Sequence, residues 1–218
     1  MPVKVGLRHI EIWNSSMENA VRRYEEEPIV KDQIVFYGPS NFTRWGEKFG
    51  MRPLRSEIVG KSGAPCAINR GFGSSCAEHH LYYYPRLIRP LEPRVLVYVP
   101  SYGNGKAFGY SLEESWELAQ RVLAYTMVDF PETRIYLGSV YQRKVPTAEN
   151  IADAAWFDAQ LKAFAEEHEN VIYFDMLSYE PLKNPDMFVE DGVHLNQDGY
   201  DLYAEFFREV LRDELENY

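Results

Sequence analysis

Short apolar runs closed by glycine or proline alternate along this 218-residue chain with segments whose apolar residues recur every three or four positions. The first run, Ile34-Val35-Phe36-Tyr37, stops at Gly38-Pro39. A continuous apolar run bounded by turn residues is the pattern of a parallel strand covered on both faces. Four more follow: Ala64 to Asn69, Arg94 to Pro100, Thr133 to Val140 and Val171 to Met176. Helical spacing is read between and after them, at Phe42 to Phe49, Ala77 to Leu87, Leu112 to Met127, Ile151 to Glu167 and Asp198 to Leu215, with residues 52–63 irregular. This alternation predicts an α/β fold with a five-stranded parallel sheet carrying helices on both faces. Ile10, Trp13, Met17, Val21 and Tyr24 form one amphipathic stripe ending near Glu25-Glu26-Glu27-Pro28. The expected organisation is therefore a helical extension over residues 1–30, packed on a single domain over 31–218, with no repeat or linker inside it.

Composition narrows the function. A net charge of −10 argues against a nucleic-acid partner, because phosphate binding needs clustered Lys and Arg. No run reaches the length of a membrane span, and Met1 to Trp13 lack the order of a secretory signal. A cytoplasmic protein is the expectation, with Cys66 and Cys76 reduced, since two thiols make no disulfide framework. A chain of this length buries about 70% of its unfolded surface and needs no metal to hold it together.

Chemistry-bearing residues collect at the strand ends. Strands one to three each end in a glycine-bearing turn, and the segment after strand five carries Asp191 and His194. In a parallel sheet these turns open onto one edge, which gathers Ser40, the Gly71–Ser74 loop, Asn104, Asp191 and His194 in a single crevice. Taken alone, Ser40 reads as a helix N-cap, the commoner role for serine at such a junction. The company it keeps suggests a nucleophile. His194 has the intrinsic pKa of a general base, about 6.5. Asp191, three residues earlier, can reach its Nδ1 and fix the tautomer. The backbone N–H groups of Ser40 and of Gly73 or Ser74, with the Asn104 amide, can face a developing oxyanion. Phe72, Tyr102, Phe108 and Tyr110 are candidate walls of a small acyl pocket. The other histidines offer less: His79 and His80 read as surface or packing residues without a third metal ligand, His168 as a solvated helix end, and His9 has no evident partner.

These blocks resemble those of the SGNH hydrolases, the GDSL-type esterases and lipases, over nearly the whole chain. Phe36-Tyr37-Gly38-Pro39-Ser40-Asn41-Phe42-Thr43-Arg44-Trp45 is similar to the family's first block and Asn69-Arg70-Gly71-Phe72-Gly73-Ser74 to its second. Gly103-Asn104-Gly105 is similar to the third, and the run from Asp191 to Tyr200 closely matches the last. The resemblance implies a flavodoxin-like three-layer αβα sandwich and a metal-free, cofactor-free serine mechanism. Three positions depart from the family pattern: Pro39 before the serine, Ser74 in place of the oxyanion glycine, and Gly105 at a common aspartate position. The leading expectation is a serine esterase acting on a small-molecule ester with a short acyl group, such as an acetyl ester of a carbohydrate. A catalytically impaired binding or scaffold protein, and an acyltransferase using the same acyl-enzyme, stand as alternatives.

Overall fold

The computed structural model of the chain describes residues 14–218, so Ile10, Trp13 and the rest of the expected extension before Asn14 lie outside the described residues. The extension continues as α1 (Asn14–Glu25), followed by β1 (Ile34–Gly38), α2 (Ser40–Thr43), α3 (Leu54–Glu57), β2 (Ala67–Gly71), α4 (Ala77–Leu87) and β3 (Val95–Tyr98). The order then runs α5 (Tyr102–Ala107), α6 (Leu112–Asp129), β4 (Arg134–Gly138), α7 (Ala148–Glu167), β5 (Val171–Phe174), α8 (Gln197–Val210) and α9 (Arg212–Leu215).

The five strands form one sheet in the order β2-β1-β3-β4-β5, every pairing parallel. Successive side chains leave a strand on opposite faces, and both faces here are apolar. Ile34, Phe36, Val95 and Val97 meet α2, α3 and α8 through Phe42, Trp45, Leu54, Tyr203 and Phe207. Val35, Tyr37, Leu96 and Tyr98 meet α1, α4, α6 and α7 through Val21, Tyr83, Val122 and Phe157. This is a three-layer αβα sandwich of flavodoxin-like kind. α1 seats Met17 and Val21 in the second core, and the Arg86 guanidinium of α4 binds Glu18 and Glu25 of α1 at 2.8 and 2.7 Å.

Several elements differ from the sequence reading. The helix expected at Phe42 to Phe49 starts at Ser40 and breaks after Thr43, resuming as a 3-10 turn at Glu47–Phe49 beyond the extended Gly46. Part of the stretch read as irregular holds α3. The turn expected at Ser101 to Gly105 is the helix α5, started by the Ser101 hydroxyl accepting from the Asn104 N–H. Tertiary packing overrides the poor helix propensity of Gly-Asn-Gly there. A Cβ on Gly105 would fall 2.4 Å from Ser115 Oγ, so only glycine lets α5 lie this close to α6. The last helix is interrupted at the buried Leu211, which separates α8 from α9.

Candidate active site

Ser40 follows the carboxyl end of β1 as the first residue of α2, and the N-cap position belongs to Pro39. Its hydroxyl is therefore not used as a cap. The turn is tight: a Cβ on Gly38 would lie 2.9 Å from the Phe42 ring and 3.0 Å from the Val99 carbonyl. Asn41 is buried just behind Ser40, where it accepts from the Tyr200 hydroxyl at its carbonyl (2.8 Å).

His194 reaches the same edge from the loop between β5 and α8. That loop folds back on itself through Val189 N–H to His194 O (2.9 Å) and Gly192 N–H to Val189 O (3.0 Å), with Gly192 in the left-handed region at φ 64°. Asn196 closes it as the N-cap of α8, accepting from the Gly199 N–H at 2.9 Å and donating to the Asp186 carbonyl at 2.7 Å. Asp191 Oδ1 accepts the backbone N–H groups of Val193 and His194, both at 2.9 Å. Its Oδ2 lies 2.7 Å from His194 Nδ1, and His194 Nε2 lies 2.8 Å from Ser40 Oγ. Serine, imidazole and carboxylate are thus joined in series by two hydrogen bonds.

Partial burial would raise the Asp191 pKa, but the two backbone N–H groups and the imidazole outweigh it and bring it down to about 2. The carboxylate is ionised at any working pH and can orient the ring and balance an imidazolium. Arg44, one turn beyond Ser40, adds its Nη1 at 3.5 Å from Asp191 Oδ2. That residue was missed in the sequence, although its spacing from Ser40 places both on one helical face.

A cavity of about 290 Å³ opens beside the serine, with Ser40, His194, Asn104, Tyr102, Val140 and Tyr141 among its lining residues. Lys106, Gln142, Arg143, Glu149, Asn150 and Asp153 contribute polar and charged groups to its wall. Lys106 Nζ binds Glu149 at 2.8 Å and also binds Asp153, which ties α5 to α7 across the cavity. The loop after β4 is fastened to the histidine loop by Lys144 N–H to Gly192 O at 2.9 Å. Neither contact was visible in the sequence, because partners 43 to 48 residues apart leave no local pattern.

Among the proposed oxyanion donors, Ser40 and Asn104 line the cavity, whereas Gly73 and Ser74 stand outside its wall. Asn104 Nδ2 donates to the Ser75 carbonyl at 2.8 Å, which joins the third sequence block to the residue just after the second. Of the four aromatics expected in the acyl pocket, Tyr102 alone lines it, resting on Phe157 at 5.1 Å. Phe72 is fully buried among Tyr37, His80 and Tyr83, Tyr110 is buried beside Gly105, and Phe108 sits edge-on against His79. The helical turn at α5 and the burial of Phe72 directly after β2 send these rings into packing. His79 and His80, read as surface or packing residues, are wholly buried and belong to the packing. Among the described residues no cluster of three His, Cys, Asp or Glu side chains is placed to hold a metal ion, and no helix is long and apolar enough to cross a membrane.

The three departures from the family pattern each have a local explanation. Pro39 occupies an N-cap whose N–H is not called on by α2. Ser74 adopts the left-handed conformation at φ 60° that glycine enters without strain. Gly105 packs where a larger residue would strike Ser115.

No protein-family model and no curated protein matches the chain. Solved structures do. A GDSL-like lipase from Bacteroides thetaiotaomicron superposes with a TM-score of 0.67 at 16% identity, covering 90% of this chain and 97% of the lipase. The psychrotrophic esterase EstA from Pseudoalteromonas sp. matches at 0.62 and 13% identity over 84% of this chain and 99% of its own. An acetyl xylan esterase matches at 0.65 and 16% identity, over 82% and 99%. The architecture is thus a flavodoxin-like αβα fold shared with a GDSL-like lipase and with esterases. The resemblance read from the four sequence blocks and the likeness in fold agree.

Proposed function

We propose that this chain is an SGNH-type serine ester hydrolase with Ser40 as nucleophile, His194 as general base and acid, and Asp191 as the residue that orients the imidazole. One observation carries the reading: the unbroken series Ser40 Oγ to His194 Nε2 at 2.8 Å and His194 Nδ1 to Asp191 Oδ2 at 2.7 Å, opening onto a cavity.

In the first half-reaction the Ser40 oxygen attacks the ester carbonyl carbon while its proton passes to His194 Nε2. The carbonyl oxygen takes up the negative charge, facing the Ser40 N–H and the Asn104 amide. The intermediate collapses, the bond to the alcohol oxygen breaks, and Nε2–H protonates that oxygen as it leaves. Water then gives a proton to Nε2 and attacks the acyl-serine, releasing the carboxylic acid and restoring the hydroxyl. A cavity of about 290 Å³ suits a short acyl group. Its wall of Lys106, Gln142, Arg143, Asn150 and Asp153 suits a hydroxyl-rich alcohol such as a sugar. That acetyl xylan esterases share the fold supports the same substrate class. Two free, buried thiols fit a reducing compartment such as the cytoplasm.

The test is covalent labelling with a fluorophosphonate together with hydrolysis of p-nitrophenyl acetate and octanoate. Stoichiometric labelling at Ser40, loss of turnover in Ser40→Ala and preference for the acetate are expected. Labelling absent from folded protein would remove the enzyme reading, and faster octanoate turnover would remove the short-acyl one.

A further inference from the structure

Behind Asn104 runs a chain of buried polar groups that the reaction steps above do not use. Asn104 Nδ2 donates to the Ser75 carbonyl at 2.8 Å. The Ser75 side chain is wholly buried, and its hydroxyl donates to the Phe72 carbonyl at 2.7 Å while lying 2.9 Å from His80 Nε2. The other ring nitrogen, His80 Nδ1, lies 3.3 Å from the Tyr98 hydroxyl. Since the Ser75 proton is committed to Phe72, its oxygen accepts from Nε2–H, and Nδ1 accepts from Tyr98. The ring is enclosed by Tyr37, Phe72 and Tyr98 at centroid distances of 5.0, 5.5 and 5.6 Å, and the Tyr37 hydroxyl donates to the His80 carbonyl at 2.5 Å.

From this geometry we infer that Ser75 and His80 are positioning residues for the reaction, holding the Ser75 carbonyl where it fixes the Asn104 amide for the oxyanion. The inference rests on the esterase reading above and adds two residues that never touch the substrate. An amide nitrogen carries two N–H groups, and the bond to Ser75 takes one and aims the second. A donor pre-set in this way does not reorganise as charge develops, which is where oxyanion stabilisation gets its strength. The sheet supplies the rigid end of the chain, because Tyr37 and Tyr98 are register partners at the ends of β1 and β3. Burial keeps the His80 ring neutral, its pKa pushed down to about 3, so the donor and acceptor order is the same throughout the working range.

The experiment compares Ser75→Ala, His80→Phe, His80→Gln and Asn104→Ala, singly and with each of the first two combined with the last, on p-nitrophenyl acetate. Removing an oxyanion donor outright costs about 10² to 10³ in rate, and misplacing it costs part of that. We expect kcat to fall about tenfold or more in Ser75→Ala and His80→Phe, with KM within about twofold. His80→Gln, whose amide N–H reaches the place of Nε2–H, restores most of the loss. In the combined variants kcat is no lower than in Asn104→Ala alone, because residues acting through one group are not additive. Losses that multiply with Asn104→Ala, or single variants with unchanged kcat, would overturn the inference. Should His80→Phe not fold, Ser75→Ala alone and over Asn104→Ala decides by the same criterion. Ser40→Ala separates the two readings. If it is inactive while Ser75→Ala is unaffected, only the positioning role falls; if it stays active, the esterase reading falls and takes this inference with it.

Discussion

Asn41 donates from Nδ2 to the Tyr203 hydroxyl at 2.7 Å, with both side chains buried. The bond spans the sequence from the residue after Ser40 to the helix that follows His194, so it ties together the two segments that carry the hydrogen-bonded series Ser40–His194–Asp191. Tyr203→Phe removes the hydroxyl and leaves a buried amide without that acceptor, a loss of about 1 to 3 kcal/mol. Urea denaturation of the variant should show a lower midpoint at unchanged slope. Its kcat should also fall, because α2 loses its tether to α8. A midpoint equal to the parent's would show that the bond is not formed in solution.

Gly71 sits opposite Gly38 in the parallel register of β1 and β2. A Cβ there would meet Phe42 Cβ at 2.5 Å and the Thr43 nitrogen at 2.8 Å. Those atoms belong to α2, which begins with Ser40, and backbone cannot swing aside as a side-chain end can. Gly71→Ala is expected to cost about 1 to 3 kcal/mol through overpacking and to displace Ser40 from His194. Thermal melting reads the first effect, and the rate of fluorophosphonate labelling reads the second. A variant that melts like the parent and labels as fast would contradict the close packing of α2 on β2.

The sheet was legible because each strand is covered on both sides, so that Ile34 to Tyr37 and Val95 to Tyr98 read as unbroken apolar runs. The meeting of Ser40, His194 and Asp191 was legible because the three stand at strand ends or in a loop joined to them, where topology leaves little choice. What local pattern could not supply is what tertiary packing decides. Gly103-Asn104-Gly105 reads as a turn and is helical, since the close approach of α6 outweighs propensity. His79 and His80, being adjacent, cannot share a helix face; α4 is nonetheless packed around both. Phe72 follows β2 directly, yet it walls in His80 and not the cavity beside Ser40.

Ser74 tests the same region from the backbone side. A non-glycine residue at φ 60° carries a strain of about 1 kcal/mol or more, and β-branching makes it worse. Ser74→Gly should therefore fold as stably as the parent or better, with activity within about twofold. Ser74→Val should lose about 1 to 3 kcal/mol and weaken turnover by disturbing the 72–75 loop that carries the Ser75 carbonyl. Differential scanning calorimetry of the pair is the check. Equal melting of Val and Gly variants would mean that the left-handed conformation is not kept.

Acid should destabilise the fold earlier than its carboxylates require, and His80 gives the reason. Burial, with a smaller contribution from the neighbouring His79, pushes its native pKa down to about 3, against about 6.5 for an unfolded histidine. Between those values the unfolded chain binds a proton that the native protein refuses. Stability then rises with pH and falls as pH drops from 6.5, by up to about 1.4 kcal/mol per pH unit. The carboxylates of Glu18 and Glu25, lowered from 4.5 by hydrogen bonds from Arg86, act in the same direction mainly around and below that value. Asp191, brought down to about 2, joins them lower still. Most of the interval from pH 6.5 to 4.5 therefore belongs to His80 in this set, whose part should cost about 2 to 3 kcal/mol. His80→Phe, which cannot take up a proton when unfolded, should lose most of that slope even if it is less stable at pH 7. Urea midpoints measured at half-unit steps across the interval decide the matter: parallel curves for parent and variant would mean that His80 is not held neutral in the core.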